Sequence, residues 1–148
     1  MIVIAGCIII KDNKFLMIKE ANKKCYGKWN FPAGYVDKGE LITDAAIREV
    51  YEETGCKVKL TGVLPIGIVD VKDVEPRLMV RFTAEIIEEN IQFDKEEILD
   101  VQWLDIDKVK KMTEKELREY SIAIQYIKDF EDNNIYPVEV FNNKIFIR

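Results

Sequence analysis

Apolar and polar positions alternate along the chain in blocks that predict a sheet-rich fold. Met1–Ile10 is apolar and β-branched, Lys11–Lys14 is polar, and Phe15–Lys19 is apolar again, which predicts a hairpin. Further strands are predicted over Val58–Val71, interrupted near Gly62 and Pro65, over 78–86, which alternates as a half-buried strand does, and over Leu99–Leu104. Residues 90–97 form an acidic loop between the last two of these segments.

Two segments carry helical signals. Residues 43–54 are predicted to form a helix with Thr43 as N-cap and Gly55 just after its end. A second helix is predicted from Glu114 to Asp132, because Thr113 and Glu116 match a capping box. Its apolar residues follow helical spacing, which indicates core contacts.

The tail and the chain length complete the predicted organisation. Val138–Phe141 and 144–147 flank Asn142-Asn143 and predict a small hairpin. The predicted class is α+β, either mixed or layered as an α/β/α sandwich around a mixed sheet. A length of 148 residues predicts one domain over 1–148.

The amino-acid composition limits the catalytic groups, metal ligands and partners that are available. A net charge of −5 argues against non-specific nucleic-acid binding, and the absence of histidine excludes Ser–His triads and histidine metal ligands. Oxygen ligands alone suit Mg²⁺ or Mn²⁺. The 3 cysteines have no paired spacing, which indicates a reducing, cytoplasmic location. The apolar opening is too short to span a bilayer and lacks signal-peptide features, so no membrane partner is predicted.

The first predicted helix has an unfavourable charge distribution. Glu49, Glu52 and Glu53 lie within an arc of roughly 100°, opposite an apolar side. The apolar side consists of Ala46, Ile47, Val50 and Tyr51. Each like-charge pair at this spacing costs about 0.2–0.5 kcal/mol, and the C-terminal helix dipole adds to the cost. A divalent cation would reverse both effects, although a solvated acidic face is an equally admissible interpretation.

The same segment, GYVDKGELITDAAIREVYEETGC, resembles the Nudix box of the Nudix (MutT-type) hydrolase family. Eight positions match at the required spacing, namely Gly34, Glu40, Arg48, Glu49, Val50, Glu52, Glu53 and Gly55. Cys56 is the single departure, since the family usually has Ile, Leu or Val there. The flanking order of strand hairpin, Phe-Pro-Ala-Gly, box, sheet, acidic loop and C-terminal helix extends the resemblance over most of the chain.

The resemblance implies an α/β/α sandwich and Mg²⁺-dependent hydrolysis of a nucleoside diphosphate linked to another group, with Mn²⁺ as a substitute ion. By position, Glu49, Glu52, Glu53 and the Gly34 carbonyl would be metal ligands. Arg48 would orient the glutamates by ion pairing. Glu40 would support the metal site from outside the coordination shell or join the loop to the helix.

The general base differs among family members, so two candidates stay open: a box glutamate such as Glu53, and Glu97 in the acidic loop. Lys19 resembles a position where family members often carry a basic residue near the substrate, and a solvated lysine at a strand end is an equal interpretation. Trp29 and Phe31 are candidates for stacking a base, although aromatic residues at strand positions are more often core.

Two substrate classes and two non-enzymatic alternatives remain at this level. The run from Ala21 to Glu40 resembles the branch that acts on oxidised guanine nucleotides, so an ordinary or oxidised nucleoside di- or triphosphate is the first expectation. ADP-ribose or another NDP-sugar is the second. A nucleotide-sensing Nudix module and a structural metal-binding domain are the alternatives without turnover, and a homodimer is left open.

Overall fold

The computed structural model describes residues 1–141 and contains eight strands and three α-helices in that part of the chain. The strands are β1 (Ile2–Lys11), β2 (Lys14–Glu20), β3 (Trp29–Asn30), β4 (Ala33–Tyr35), β5 (Lys57–Val63), β6 (Gly67–Val69), β7 (Arg77–Glu88) and β8 (Ile98–Asp105). The helices are α1 (Ile42–Thr54), α2 (Ile106–Lys110) and α3 (Tyr120–Glu131). The predicted α+β class is confirmed.

The strands form a mixed sheet that β1 holds together. The long strand β1 pairs in parallel with β7 and antiparallel with β4, and β7 in turn pairs antiparallel with β5 and β6. At its end, β1 turns into β2 through the predicted hairpin, with Ile10 opposite Phe15. The second half of the sheet is antiparallel, with β2 between β3 and β8.

Helices cover the sheet on two sides, which gives the layered α/β/α arrangement that the resemblance implies. On one side, Ala45, Ala46 and Val50 of α1 join one hydrophobic cluster with residues of β1 and β7. On the other, Ala123 and Ile127 of α3 join a second cluster with α2 and the hairpin. The position of α1 against β1 and β4 brings the box next to the sheet.

Two local predictions for α1 need correction. Helix α1 begins at Ile42 after an extended Leu41, so Thr43 is a buried helical residue and not the N-cap. Gly55 does end the helix, in the left-handed conformation with φ of 79°. Tyr51, placed on the apolar side by its spacing, is 53% exposed.

The second helix is shorter than predicted. Thr113 and Glu116 do form capping-box hydrogen bonds, but α3 begins only at Tyr120. The intervening residues pair with β3 instead: the Trp29 amide donates to the Glu116 carbonyl, and the Arg118 amide donates to the Trp29 carbonyl. Tertiary pairing with a distant strand therefore overrides the local helix signal.

The tail departs from the predicted hairpin. Val138–Val140 forms a 3₁₀ turn and not a strand, and the predicted second strand over 144–147 lies outside the described residues. Within residues 1–141, no helix is long and apolar enough to cross a membrane.

Candidate active site

Strand β4 and helix α1 meet at Gly34, and their contact leaves no room for a side chain there. A Cβ added to Gly34 would collide with the carboxylate of Glu49. The missing side chain lets the helix bring a carboxylate directly against the backbone of β4. Backbone carbonyls of the strand and carboxylates of the helix are the kinds of oxygen that a hard divalent cation binds.

Arg48 connects the acidic residues of the box. Its guanidinium forms a bidentate ion pair with Glu40, with Nε 2.6 Å from Oε2 and Nη2 2.9 Å from Oε1. Nη1 donates to Glu49 at 2.8 Å and to Glu52 at 3.1 Å, and Nη2 also donates to the Tyr35 carbonyl at 2.9 Å. A planar guanidinium suits such paired contacts, so Arg48 fixes the loop and two helix carboxylates in one arrangement.

Glu40 contacts both Arg48 and the turn that precedes the helix. Its Oε1 also accepts the Asp37 amide at 3.1 Å, which closes the turn before the helix. The hydrogen bonds from Arg48 lower the pKa of Glu40, so this carboxyl stays ionised. The predicted role of Glu40 in the join between loop and helix thus has a geometric basis.

Glu53 lies deeper than the other box carboxylates. Its Oε1 accepts the Ala33 amide at 2.8 Å, one residue before Gly34. Burial, followed by the nearby negative charge of Glu20, raises the pKa of Glu53 well above its ordinary value. A bound cation would favour the charged form of this carboxylate, which the protein alone disfavours.

Burial also raises the pKa of Glu49, and the hydrogen bond from Arg48 opposes that rise. Within residues 1–141, no group of three or more aspartate, glutamate or cysteine side chains is already arranged to hold a metal ion. The oxygen donors that an Mg²⁺ site needs are nevertheless adjacent on α1 and β4, and two of the carboxylates are turned toward Arg48. The donor chemistry fits a hard cation once those carboxylates turn.

The acidic loop packs against the end of α1. The Gln92 amide donates to the Thr54 carbonyl at 2.9 Å, and a Cβ at Gly55 would collide with the Asn90 carbonyl. Further along, the Ala21 amide donates to the Glu97 carbonyl at 3.2 Å, directly beside Glu20. Glu97 is therefore held next to the strand end that faces Glu53, and its side chain is exposed.

The three predicted substrate residues are placed differently. Phe31 is 1% exposed and packs edge-on against Phe15, so it presents no ring face to a ligand and its predicted stacking role is wrong for this conformation. Trp29 is half-buried beside the second hydrophobic cluster. Lys19 lies opposite Trp29 on the neighbouring strand, with Nζ 5.6 Å from the ring centroid. This cation–π contact orders both side chains at the sheet surface.

Sequence reasoning missed two charged groups beside the box. Glu20 is only 7% exposed, accepts from Asn30, and pairs with Arg118 at 3.2 Å. Arg81 is 4% exposed on β7. A charged residue within an apolar strand segment is the signal that could have found either one, because such residues are rarely buried without a role.

Comparisons with known proteins identify related sequences and folds. The family model of the NUDIX domain matches residues 2–124. The ADP-ribose pyrophosphatase of Methanocaldococcus jannaschii is 41% identical over 70 residues, which cover 47% of this chain and 40% of that protein. The 8-oxo-dGDP phosphatase NUDT18 of Danio rerio is 39% identical over 80 residues, which cover 53% of this chain and 23% of that protein.

The matches thus span less than half the length of these two curated relatives. In three dimensions, a NUDIX hydrolase from Nitrosomonas europaea superimposes with a TM-score of 0.85 at 24% identity and covers 95% of both chains. That likeness shows the fold. Since the family model covers most of the chain and the box residues meet at the junction of β4 and α1, this chain belongs to the Nudix hydrolase family.

Proposed function

We propose that this chain, as a single Nudix domain over residues 1–148, hydrolyses a diphosphate bond in a nucleoside diphosphate-linked substrate with Mg²⁺, or with Mn²⁺ as a substitute. The observation that carries the proposal is the convergence of box carboxylates on the backbone of β4, where Glu53 accepts the Ala33 amide and Glu49 fills the space that Gly34 leaves. Packing in the hydrophobic core does not account for carboxylates at these positions.

Different residues of the chain would bind the ion and position its ligands. Glu49, Glu52, Glu53 and the Gly34 carbonyl would hold the ion, and Arg48 and Glu40 position two of these groups. When bound, the ion would neutralise the diphosphate and lower the pKa of a coordinated water. The raised pKa of Glu53 supports its place as a ligand, because a cation would stabilise the charged form.

The remaining step needs a base for the attacking water. Glu97 is the proposed base, because its loop is pinned to the end of α1 and to Ala21, and its side chain is exposed to solvent. It would accept the water proton as the water oxygen bonds to phosphorus and the bridging P–O bond breaks. Glu53 is the alternative base, since a raised pKa also suits proton transfer.

An ordinary or oxidised nucleoside di- or triphosphate is the first proposed substrate, supported by the relative named 8-oxo-dGDP phosphatase. ADP-ribose or another NDP-sugar is the second, supported by the relative named ADP-ribose pyrophosphatase. Lys19 and Trp29 would contact the substrate from the sheet surface. Cytoplasmic location, the absence of nucleic-acid and membrane partners, and a homodimer stay predictions.

The non-catalytic alternative is a Nudix module that senses a nucleotide without cleaving it. The retention of Glu49, Glu52 and Glu53 favours catalysis, since a sensor has no need of all three carboxylates.

Chromatographic analysis of the nucleotide products tests the proposal, because hydrolysis of ADP-ribose or NADH yields two phosphate monoesters and no free phosphate. The panel holds dGTP, oxidised dGTP, dGDP, ADP-ribose, NADH and a diadenosine polyphosphate, each with Mg²⁺, with Mn²⁺ and with EDTA. We expect metal-dependent turnover of at least one compound, abolished by EDTA and by Glu53→Gln. A protein that binds the ion and a nucleotide but cleaves none of the compounds would support the sensor instead.

A further inference from the structure

A small pocket opens beside the backbone of Ala33 and Gly34. Its volume is about 190 Å³, and three arginines line it: Arg77, Arg81 and Arg118. Sites that enclose a whole drug-sized ligand usually measure about 300–1,000 Å³, so this pocket has room for a chemical group of a ligand but not for a complete nucleotide.

Two of the three arginines have carboxylate partners. Arg77 pairs with Glu119 at 2.6 Å, and Arg118 pairs with Glu20 at 3.2 Å. Arg81 has none: it is 4% exposed, and its Nε and Nη1 have no hydrogen-bond partner among the described residues. The nearest compensation is the Tyr126 ring, with its centroid 5.3 Å from the guanidinium carbon.

Leaving a buried charged donor without a partner is costly. Burial disfavours the charged form of such a group and accordingly lowers the pKa of Arg81. A purely structural arginine would carry a carboxylate partner, as Arg77 does. The unpaired state is the one expected of a group whose partner is a ligand.

Strand register places Arg81 in line with the proposed catalytic centre. Gly6 of β1 pairs with Ala33 on one side and with Arg81 on the other. Residues paired across strands point to the same face, and Gly6 has no side chain to separate its two neighbours. The positive charge of Arg81 is close enough to Glu53 to oppose the rise in the pKa of that carboxyl group.

We propose that this pocket binds the terminal phosphate of the substrate, with Arg81 supplying the unpaired donors. The proposal rests on the proposed function, and it narrows the substrate to nucleotides that end in a phosphomonoester. Among the described residues, the direct ion pairs of the pocket are Arg77–Glu119 and Arg118–Glu20, so Arg81 is the lining arginine without a carboxylate in contact. A phosphomonoester carries one more negative charge than a doubly substituted phosphate, so a nucleoside di- or triphosphate matches the pocket better than an NDP-sugar does.

A binding experiment without metal tests the pocket directly. Pyrophosphate and its dimethyl diester are titrated calorimetrically into the protein in EDTA. We expect pyrophosphate to bind and the diester to bind at least tenfold more weakly. Arg81→Met should weaken pyrophosphate binding roughly 10- to 100-fold, the loss expected for hydrogen bonds to a charged group. Lys57→Met, which removes one exposed positive charge from β5, is the matched control and should bind as the parent does.

Turnover then tests whether the bound group belongs to the substrate. Arg81→Met should lower kcat/KM for dGDP roughly 10- to 100-fold and that for ADP-ribose less than about threefold. Arg81→Lys, which keeps the charge but not the fork of donors, should fall between parent and Arg81→Met, and it decides the matter if the methionine variant does not fold. Inorganic phosphate should compete with dGDP.

The outcomes separate the two proposals. Equal losses on dGDP and ADP-ribose, no loss on either, or phosphate binding that does not compete with dGDP would overturn the assignment of the pocket while hydrolysis stands. Absence of turnover on every substrate would overturn the proposed hydrolysis, while the metal-free titration still decides whether Arg81 binds a terminal phosphate.

Discussion

Arg48 and Arg81 carry the same guanidinium in opposite surroundings. Arg48 is 28% exposed and contacts the carboxylates of Glu40, Glu49, Glu52 and Asp37. Arg81 is buried on β7 and has no carboxylate partner in the described part of the chain. Hydrogen bonds with carboxylates raise the pKa of the first, whereas burial lowers the pKa of the second.

The difference shows how partners determine what a charged residue does. A guanidinium whose donors are all taken by the protein has none left for a ligand, so Arg48 acts on the site by positioning other groups. A buried guanidinium with free donors is stable only if something else makes up for its desolvation. We therefore expect substitutions at the Arg48 network to alter metal binding, and substitutions at Arg81 to alter substrate choice.

The largest expected effect concerns two of the proposed metal-binding carboxylates of α1. Glu53→Gln and Glu52→Gln should each lower kcat at least ~100-fold, the upper range for groups that only support a metal site, with the fold retained. Glu53→Gln keeps the acceptor oxygen for the Ala33 amide. The measurement is steady-state kinetics in saturating Mg²⁺, with the exposed Glu85→Gln as control. Parental rates in both variants would remove the metal assignment.

Glu97→Gln should lower kcat on the order of 100-fold while the affinity for Mn²⁺ changes little, because a base acts on the water proton and not on the ion. Its neighbour Glu96, exposed on the same loop, supplies the control Glu96→Gln. Kinetics and calorimetric Mn²⁺ titration are measured on the same preparations. An unchanged kcat would leave a box glutamate as the base.

Arg48→Lys tests the positioning role itself. Lysine keeps the charge but cannot form the bidentate contact with Glu40, so we expect Mn²⁺ affinity to fall roughly tenfold. Glu40→Gln should change the affinity in the same direction. Tighter binding in Arg48→Lys would mean that Arg48 mainly competes with the ion for Glu49 and Glu52.

The smallest expected effect is on the stability of the metal-free protein. The folded-state pKa of Glu53 is raised, so the folded protein binds this proton more readily than the unfolded chain does. Stability is therefore lost as pH rises from the unfolded value, about 4.3, through the raised folded value. Glu53→Gln removes that loss, and its melting temperature in EDTA should exceed the parent's by about 2–4 °C at neutral pH. The gap should close toward acidic pH; a gap independent of pH would contradict the pKa argument.

The sequence predicted the hairpin, the alternating β7 strand, the end of α1 at Gly55 and the adjacency of the box acids. Each of these depends on residues close together in the chain, where turn preference, periodicity and helical spacing operate. Predictions failed where distant segments compete, as at 116–118, which pair with Trp29 instead of starting a helix. Phe31 likewise could not be assigned to core or surface until its contact with Phe15 was known.

The sequence by itself therefore determined the acidic chemistry of the box, because one helix and the turn before it carry all of those groups. The proposed phosphate-binding role of Arg81 depends on its burial, which only the tertiary structure determines. Alternation alone predicted a half-buried strand over 78–86, with one face toward solvent. In the fold, Met79–Ala84 is buried on both faces, since α1 covers one side of the sheet and α3 the other. Coverage by this second layer buries Arg81, and burial is the reason why the lack of a hydrogen-bond partner is unfavourable.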